Sequence, residues 1–353
     1  MSVMVDTAYL GSILRAYGIS EQITAVVPLE ETDEGEELRL LYRLDLQSGL
    51  RLVCRISREA RYPGTLVEQQ SRFSEKLRSY GLPTAKKYRV LAGANSFVLD
   101  AQGCRVTLEQ YVGADLDTVT LHTFFQLGLF LGQIHSVSER DPSPMDYAPM
   151  YQAIQQGRAT FDRVLARSDP ALGQHQDVRA VQALHDALVC RLREGVDRLP
   201  RGAVHGDLGA FNNLVTMEGQ LFIIDFNLAG EEPFLFDLLS CFYASIYKYA
   251  WRDRLQGIDH RQAFSQFLWG YASRRKLTHE EVQQFGLAAA LFDGLFYCKA
   301  ILEEYSDTND ASVLGRFSAA LEKFDPSRHR CPALLYAAMP GGANQGGTSH
   351  ETH

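Results

Sequence analysis

Three residues between positions 203 and 226 combine type and spacing in a way that suits chemistry. Asp207 follows His205 and Gly206, Asn212 comes five residues later, and Asp225 closes an apolar run eighteen residues after Asp207. Transfer of a γ-phosphoryl group to a hydroxyl needs such groups. One carboxylate must orient the attacking hydroxyl and take its proton, and a carboxylate with an amide carbonyl offers hard oxygen ligands for Mg²⁺ on the phosphates. Each residue alone has an ordinary alternative. An Asp near an Asn is common in turns, and Asp225 could simply end a strand. The joint pattern carries the reading.

These residues need elements that bring distant parts of the chain together. Two short apolar runs, 214–215 and 221–224, flank a Glu218-Gly219 turn and predict a hairpin that sets the 207–212 loop beside Asp225. Earlier in the chain, residues 38–46 and 50–56 are apolar-rich runs joined by Gln47-Ser48-Gly49, which predicts another hairpin. Residues 66–80 follow as a helix with Leu66, Gln70, Phe73 and Leu77 near one face, ended by Gly81-Leu82-Pro83. Further strands are expected at 87–91, 96–100 and 104–111. After Val112-Gly113 the pattern turns helical, at 121–138, 150–168, 175–198, 233–252, 259–275, 279–305 and 311–324. The Gly-rich tail from Pro340 has almost no apolar content and is expected to be disordered.

The step from Asp207 to Asn212 is that of the protein-kinase catalytic loop H-R-D-x-x-x-x-N, which is also followed by a metal-binding Asp at a strand end. His205-Gly206-Asp207 with Asn212, then Ile224-Asp225-Phe226, Gly230 and Asp237-Leu238, more closely resembles the aminoglycoside phosphotransferase family of small-molecule kinases. The resemblance implies an α+β, bilobal protein-kinase-like fold. A small N-terminal antiparallel β-sheet lobe with one main helix (1–111, nucleotide-binding) would precede a larger, mostly helical lobe (112–338, catalysis and acceptor binding) and the tail (339–353). It further implies Asp207 as catalytic base, His205 as organiser of that catalytic loop, Asn212 and Asp225 as Mg²⁺ ligands, and ATP as donor. Asn213 is a competing amide, and the spacing selects Asn212. Arg55, ending the second hairpin strand, matches the cation that holds the α/β-phosphates, with Arg in place of the usual Lys. A solvated strand Arg is the plain alternative. Its expected acidic partner on the next helix is not evident, since Glu68 and Glu75 point away from the apolar face and Gln69 or Gln70 lies nearer. Glu109 and Tyr111 fall where the family's hinge backbone meets adenine. Asp237 reads as a structural residue that hydrogen-bonds the catalytic loop, and His135 as a buried structural histidine.

The chain departs from the pattern in places. Residues 30–37 carry six carboxylates and one Gly where a Gly-rich phosphate-covering loop is expected, so either these side chains face solvent or ATP affinity is modest. Leu208, Gly209, Ala210 and Phe211 offer no cation to the transferred group, and Asn227 replaces the Gly of a DFG turn. Near the expected acceptor site, Glu231, Glu232, Glu303, Glu304, Asp307 and Asp310 suggest an acidic floor suited to an amine-bearing acceptor such as an aminoglycoside or amino alcohol. The same run also suits a solvated helix end. A protein kinase should show HRD, DFG and APE-like segments, and none appears. An inactive kinase-like regulatory protein would have no need of the intact Asp207, Asn212 and Asp225.

Composition bounds the rest. The 353 residues are 46% hydrophobic and 22% charged, which excludes wholesale disorder and fibrous classes. The net charge of −8 argues against a general nucleic-acid binder. No uninterrupted apolar run approaches the ~18 residues of a membrane span, and the first residues lack a secretory pattern, so no membrane partner is expected. Six scattered cysteines without a CxxC pair exclude a compact disulfide or zinc framework and fit a reducing cytoplasm. The expected partner is a small-molecule hydroxyl acceptor. Nothing in the sequence specifies an oligomeric state.

Overall fold

The computed structural model describes residues 5–34, 37–59, 62–91, 96–156 and 176–336. The N-terminal part is a five-stranded antiparallel sheet built from β1 (Ile23–Glu34), β2 (Glu37–Leu46), β3 (Arg51–Arg58), β4 (Leu99–Ala101) and β5 (Cys104–Gln110), in the order β1-β2-β3-β5-β4. Strict alternation along β2 turns Leu38, Leu40, Tyr42, Leu44 and Leu46 inward against Leu10, Ile13 and Leu14 of α1 (Thr7–Ala16). That helix was not legible from the sequence. Nor is 30–37 simply a loop. Residues 30–34 end β1 and pair with β2 as far as Glu34 opposite Glu37. β1 is an edge strand, where charged side chains are tolerated because one face and one edge meet water. Residues 87–91 contribute a single bridge, Lys87 to Glu109, rather than a strand.

The main helix of this part, α2 (Gly64–Ser79), buries Leu66, Gln70, Phe73 and Leu77 as the periodicity predicts. Phe73 and Leu77 join the core of the helical part, and Phe73 meets Phe226 edge-on at 6.1 Å. The following loop is tied across as well, since the Ile223 N–H donates to the Pro83 carbonyl at 2.7 Å.

The C-terminal part comprises α3 (Leu121–Arg140), α4 (Pro149–Gln155), α5 (Gln176–Arg193), α6 (Phe234–Tyr247), α7 (His260–Ala272), α8 (His279–Thr308) and α9 (Phe317–Lys323). The expected helix 150–168 is seen to Gln155; its remainder from 157, like the tail from 337, lies outside the described residues. The expected 233–252 and 311–324 helices are partly 3₁₀, over Tyr249–Leu255 and Ala311–Arg316. α8 is long and apolar enough to cross a membrane by composition, but 61% of its most apolar stretch is buried inside the protein, as in a core helix. All six cysteines are free.

Two small sheets interrupt the helices. β6 (Ala114–Asp115), β8 (Asn213–Val215) and β9 (Leu221–Ile223) form one, containing the hairpin expected around Glu218-Gly219. β7 (Arg201–Val204) pairs with β10 (Gly230–Pro233) in the other. Together they bring the chain after Val204 beside the chain around Asp225.

α3 and α7 cross closely because glycine lies at the contact on both sides. A Cβ on Gly128 would run into the Phe267 carbonyl, and one on Gly270 into the Phe125 carbonyl. This crossing sets Tyr271 against His135. Gly128→Ala and Gly270→Ala should each cost about 1–3 kcal/mol in chemical denaturation. Gly11→Ala in α1, where a Cβ meets only the end of Arg15 at 3.6 Å, should be neutral or mildly stabilising.

Candidate active site

The Asp207 loop is fastened from beneath by buried polar groups. His205 is fully buried, and its Nε2–H donates to the Ile224 carbonyl at 2.9 Å while Nδ1 faces the Asp207 N–H at 3.3 Å. Burial lowers its pKa, so the ring is neutral with its tautomer set by those two partners. Gly206 follows with φ +79°, and a Cβ there would strike the Leu228 carbonyl, so both conformation and space require glycine. Its N–H donates to Asp237 Oδ1 at 3.0 Å. The other Asp237 oxygen accepts from His135 Nε2 at 3.0 Å, and His135 Nδ1 meets the Tyr271 hydroxyl at 2.9 Å. The structural roles expected for Asp237 and His135 are thus what the geometry displays.

Asn212 donates its Nδ2 to the Asp207 carbonyl at 2.7 Å and to Asp207 Oδ2 at 3.0 Å. Because both partners only accept, the amide nitrogen is committed to Asp207 and the amide oxygen is left for another ligand. Asn213 is fully buried and spends its Nδ2 on the Gly209 carbonyl at 2.7 Å, so it does not compete for that place. A backbone bond from Ile224 N to the Asn212 carbonyl, 3.1 Å, brings Asn212 alongside Asp225.

Asp225 adopts a left-handed conformation, φ 61° and ψ 69°, unusual for a residue with a side chain. Its Oδ1 lies 3.4 Å from Arg55 Nη2, and its Oδ2 lies 3.5 Å from Arg39 Nη2. Burial opposes its ionisation, yet Arg55 and Arg39 hold the carboxyl below the usual range. Asp207 goes the other way. Burial and then the Asp225 charge push it up to about 6, against the opposing pull of Asn212, Lys248 and Lys299. Two neighbouring carboxyls driven in opposite directions are poised for different tasks.

A cleft of about 610 Å³ opens between the sheet and the helical part, with Arg39, Arg55, Glu109, Tyr111, Leu214 and Asp225 on its walls. A smaller cavity, about 210 Å³, contains Arg39, Asp207 and Asp225. A third, about 130 Å³, lies against Asp207 and is lined by Phe211, Tyr247, Lys248, Lys299 and Glu303 among others. The Glu109 side chain pairs with Lys87. The Tyr111 N–H is already used by the Arg51 carbonyl at 3.0 Å. Both residues line the cleft.

Other expectations are redrawn. The partner of Arg55 is Asp225, not a residue of α2. Gln70 donates instead to the Asn227 and Ala229 carbonyls, at 2.7 and 3.1 Å, and Gln69 to Asp146. The acidic floor is dispersed. Glu231 pairs with Arg201 at 3.0 Å, and Glu232 is buried, accepting from the Met150 and Tyr151 N–H groups at the start of α4. Glu304 pairs with Arg316 at 2.6 Å, and Asp307 is exposed at the end of α8. Of these only Glu303 reaches the Asp207 cavity. Three cations there or nearby were missed. Arg39 could have been found, because it shares the outward face of β2 with Leu41, which pairs directly with Arg55. Lys248 and Lys299 reach the site from α6 and α8, a convergence that no local spacing announces.

Among the described residues no three His, Cys, Asp or Glu side chains gather as a metal cluster. Asp225 and Asn212 supply one carboxylate and one amide oxygen. So sparse a set suits Mg²⁺, which completes its shell with phosphate oxygens and water.

Residues 29–277 match the model of the phosphotransferase enzyme family (APH), and the chain belongs to that family. No curated protein sequence matches it. Among solved structures it is similar to an amicoumacin kinase in complex with AMP-PNP, Ca²⁺ and amicoumacin, with TM-score 0.64, 16% identity and coverage of 93% of this chain and 96% of that one. It is also similar to spectinomycin phosphotransferase in complex with ADP and spectinomycin, with TM-score 0.56, 15% identity and coverage of 91% and 98%. A microcompartment-associated aminopropanol kinase gives TM-score 0.55 at 16% identity over 90% and 95%. These likenesses establish the bilobal kinase-like fold.

Asp237→Ala would leave the Gly206 N–H and the His135 ring without their buried acceptor. It should cost about 2–6 kcal/mol in urea unfolding, since each of the two orphaned buried donors costs ~1–3 kcal/mol.

Proposed function

We propose that this phosphotransferase moves the γ-phosphoryl group of ATP, bound with Mg²⁺, to a hydroxyl of a small molecule. The observation that carries the reading is the placement of Asp207. It stands between a cleft walled by arginines and Asp225 and a separate small cavity, with its carboxyl raised to about 6 while Asp225 is held low. The base therefore retains proton affinity near neutrality, and its neighbour remains an anion suited to a metal.

In this reading the N-terminal part, 1–111, binds the nucleotide, and 112–338 carries catalysis and the acceptor. The chain through Glu109 and Tyr111 borders the adenine. Arg55 meets the phosphates, joined by Arg39. Asn212 and Asp225 hold the metal, which when bound neutralises phosphate charge and fixes its orientation. Asp207 accepts the hydroxyl proton, and its Oδ2 is held in place by the Asn212 amide. His205 keeps the loop and the Asp225 strand in register through the Ile224 carbonyl. AMP-PNP in one similar structure and ADP in another support a nucleotide in the cleft.

Asp207→Ala should lower the turnover number by about 10²–10⁴-fold, the usual contribution of a general base, with Mg·ATP affinity nearly unchanged. Transfer at the wild-type rate would refute the assignment. Asp225→Asn should weaken nucleotide binding in Mg²⁺-dependent calorimetry. The acid limb follows from the sign of the Asp207 shift. Below about 6 the group is protonated and cannot accept a proton, so kcat/KM should fall ~10-fold per pH unit there and level off above it.

A further inference from the structure

The cavity beside Asp207 differs in charge from the chain as a whole. Lys248, just after α6, lines it with its Nζ 4.7 Å from the centre of the Phe211 ring, and forms no ion pair among the described residues. Lys299 lines it from α8, with its Nζ a loose 3.8 Å from Glu303 Oε1. Two ammonium groups thus share the cavity with Glu303 and with Asp207, whose charge is cancelled when it takes a proton. The remaining wall is apolar or committed, since the Tyr247 hydroxyl donates to Asp293 Oδ1 at 2.6 Å.

Two roles compete for these lysines. They could steady the transferred phosphoryl group, or they could hold the acceptor. Arg39 and Arg55 already flank Asp225 from the nucleotide side, and neither lysine lines the cleft or the cavity that contains Asp225. The lysines instead line the Asp207 cavity from which Arg39 and Arg55 are absent. An amine in this small space would meet two like charges, offset by Glu303 and by Asp207 only until Asp207 takes the hydroxyl proton.

We propose that the hydroxyl acceptor carries an anionic group, a carboxylate or phosphate, held by Lys248 and Lys299 in the cavity beside Asp207. The inference rests on the kinase reading above. In the step itself, the acceptor oxygen bonds to the γ-phosphorus as the bond to the β–γ bridging oxygen breaks. The hydroxyl proton passes to Asp207, and ADP leaves.

The test is a set of short hydroxy compounds on common carbon skeletons, ending in carboxylate, phosphate monoester, carboxamide or primary amine, assayed at saturating Mg·ATP. The carboxylate or the phosphate series should exceed its carboxamide and amine counterparts in kcat/KM by about 10-fold or more, and which series leads identifies the anion. Lys248→Ala and Lys299→Ala should raise the KM of the anionic members about 10-fold while leaving the KM for ATP unchanged, and Lys248→Arg should restore most of the loss. Rising salt should raise the same KM in the wild-type protein, a readout that needs no variant. Equal or better use of amines or carboxamides overturns the proposal, as does failure of every anionic member to react. An equal fall in kcat for all members in the lysine variants also overturns it and gives the lysines to the phosphoryl group. Calorimetry with Mg·ATP separates the two readings. Nucleotide binding without anionic acceptors removes this proposal alone, whereas absent binding removes the kinase reading as well.

Discussion

The site depends on one buried carboxylate. Asp237 is fully inaccessible to solvent, so its two oxygens must be met by protein donors or be left at great cost. One takes the Gly206 N–H of the loop that carries Asp207 and the other the His135 ring of α3. His135 is met by the Tyr271 hydroxyl of α7, which is met in turn by Arg275 at 2.9 Å. Arg275 is anchored bidentately on Glu281, at 3.0 Å for each bond, and Glu281 belongs to the capping box that starts α8. A single polar chain thus fastens the loop before Asp207 to four helices. The glycine crossing of α3 and α7 follows from it, because only a close approach of backbones lets Tyr271 reach His135.

With the loop fixed, the chemistry becomes a matter of dividing charge. Asp207 and Asp225 repel each other, and surroundings rather than residue type decide which retains its proton more readily. Asp207 has an amide and the two lysines of its cavity for company, whereas Asp225 has two guanidinium groups within 3.5 Å. Asp225 also holds a left-handed backbone, a conformation costing about 1–3 kcal/mol for a residue with a Cβ. Strain and charge are thus concentrated at one residue. The groups that neutralise it are the ones an anionic triphosphate would compete for.

Much of this was legible because it is local. His205 through Asn212 form one loop, and the hairpin after it places Asp225 by simple chain geometry. The buried face of α2 and the outward position of Arg55 follow from periods of 3.6 and 2. What escaped was tertiary. Gln69 or Gln70 lay nearest the face where a partner for Arg55 was sought, but a helix face shows only that a residue points inward, not which group it meets. The acidic stretch 30–37 suggested a loop, yet charge reports contact with water and an edge strand satisfies that equally well. The carboxylates grouped near the acceptor were neighbours in sequence that the fold sends to Arg201, to Arg316 and to the N-terminus of α4.

That dispersal bears on how net charge should be used. The chain carries −8, and clusters of Glu and Asp made a cationic acceptor look natural. In the folded protein, however, Glu30, Glu231 and Glu304 each have an arginine, so their charges are largely cancelled where they stand. Screening confines any surplus on the exterior to about a Debye length of 8–10 Å, so the overall sign has little hold on a pocket farther away than that. What a small acceptor feels is set by the few groups that share its cavity, and beside Asp207 those are Lys248, Lys299 and Glu303. Counted with Asp207 itself, the cavity holds two ammonium groups and two carboxylates, so it is near neutral where the chain carries −8, and it would turn positive when Asp207 takes a proton.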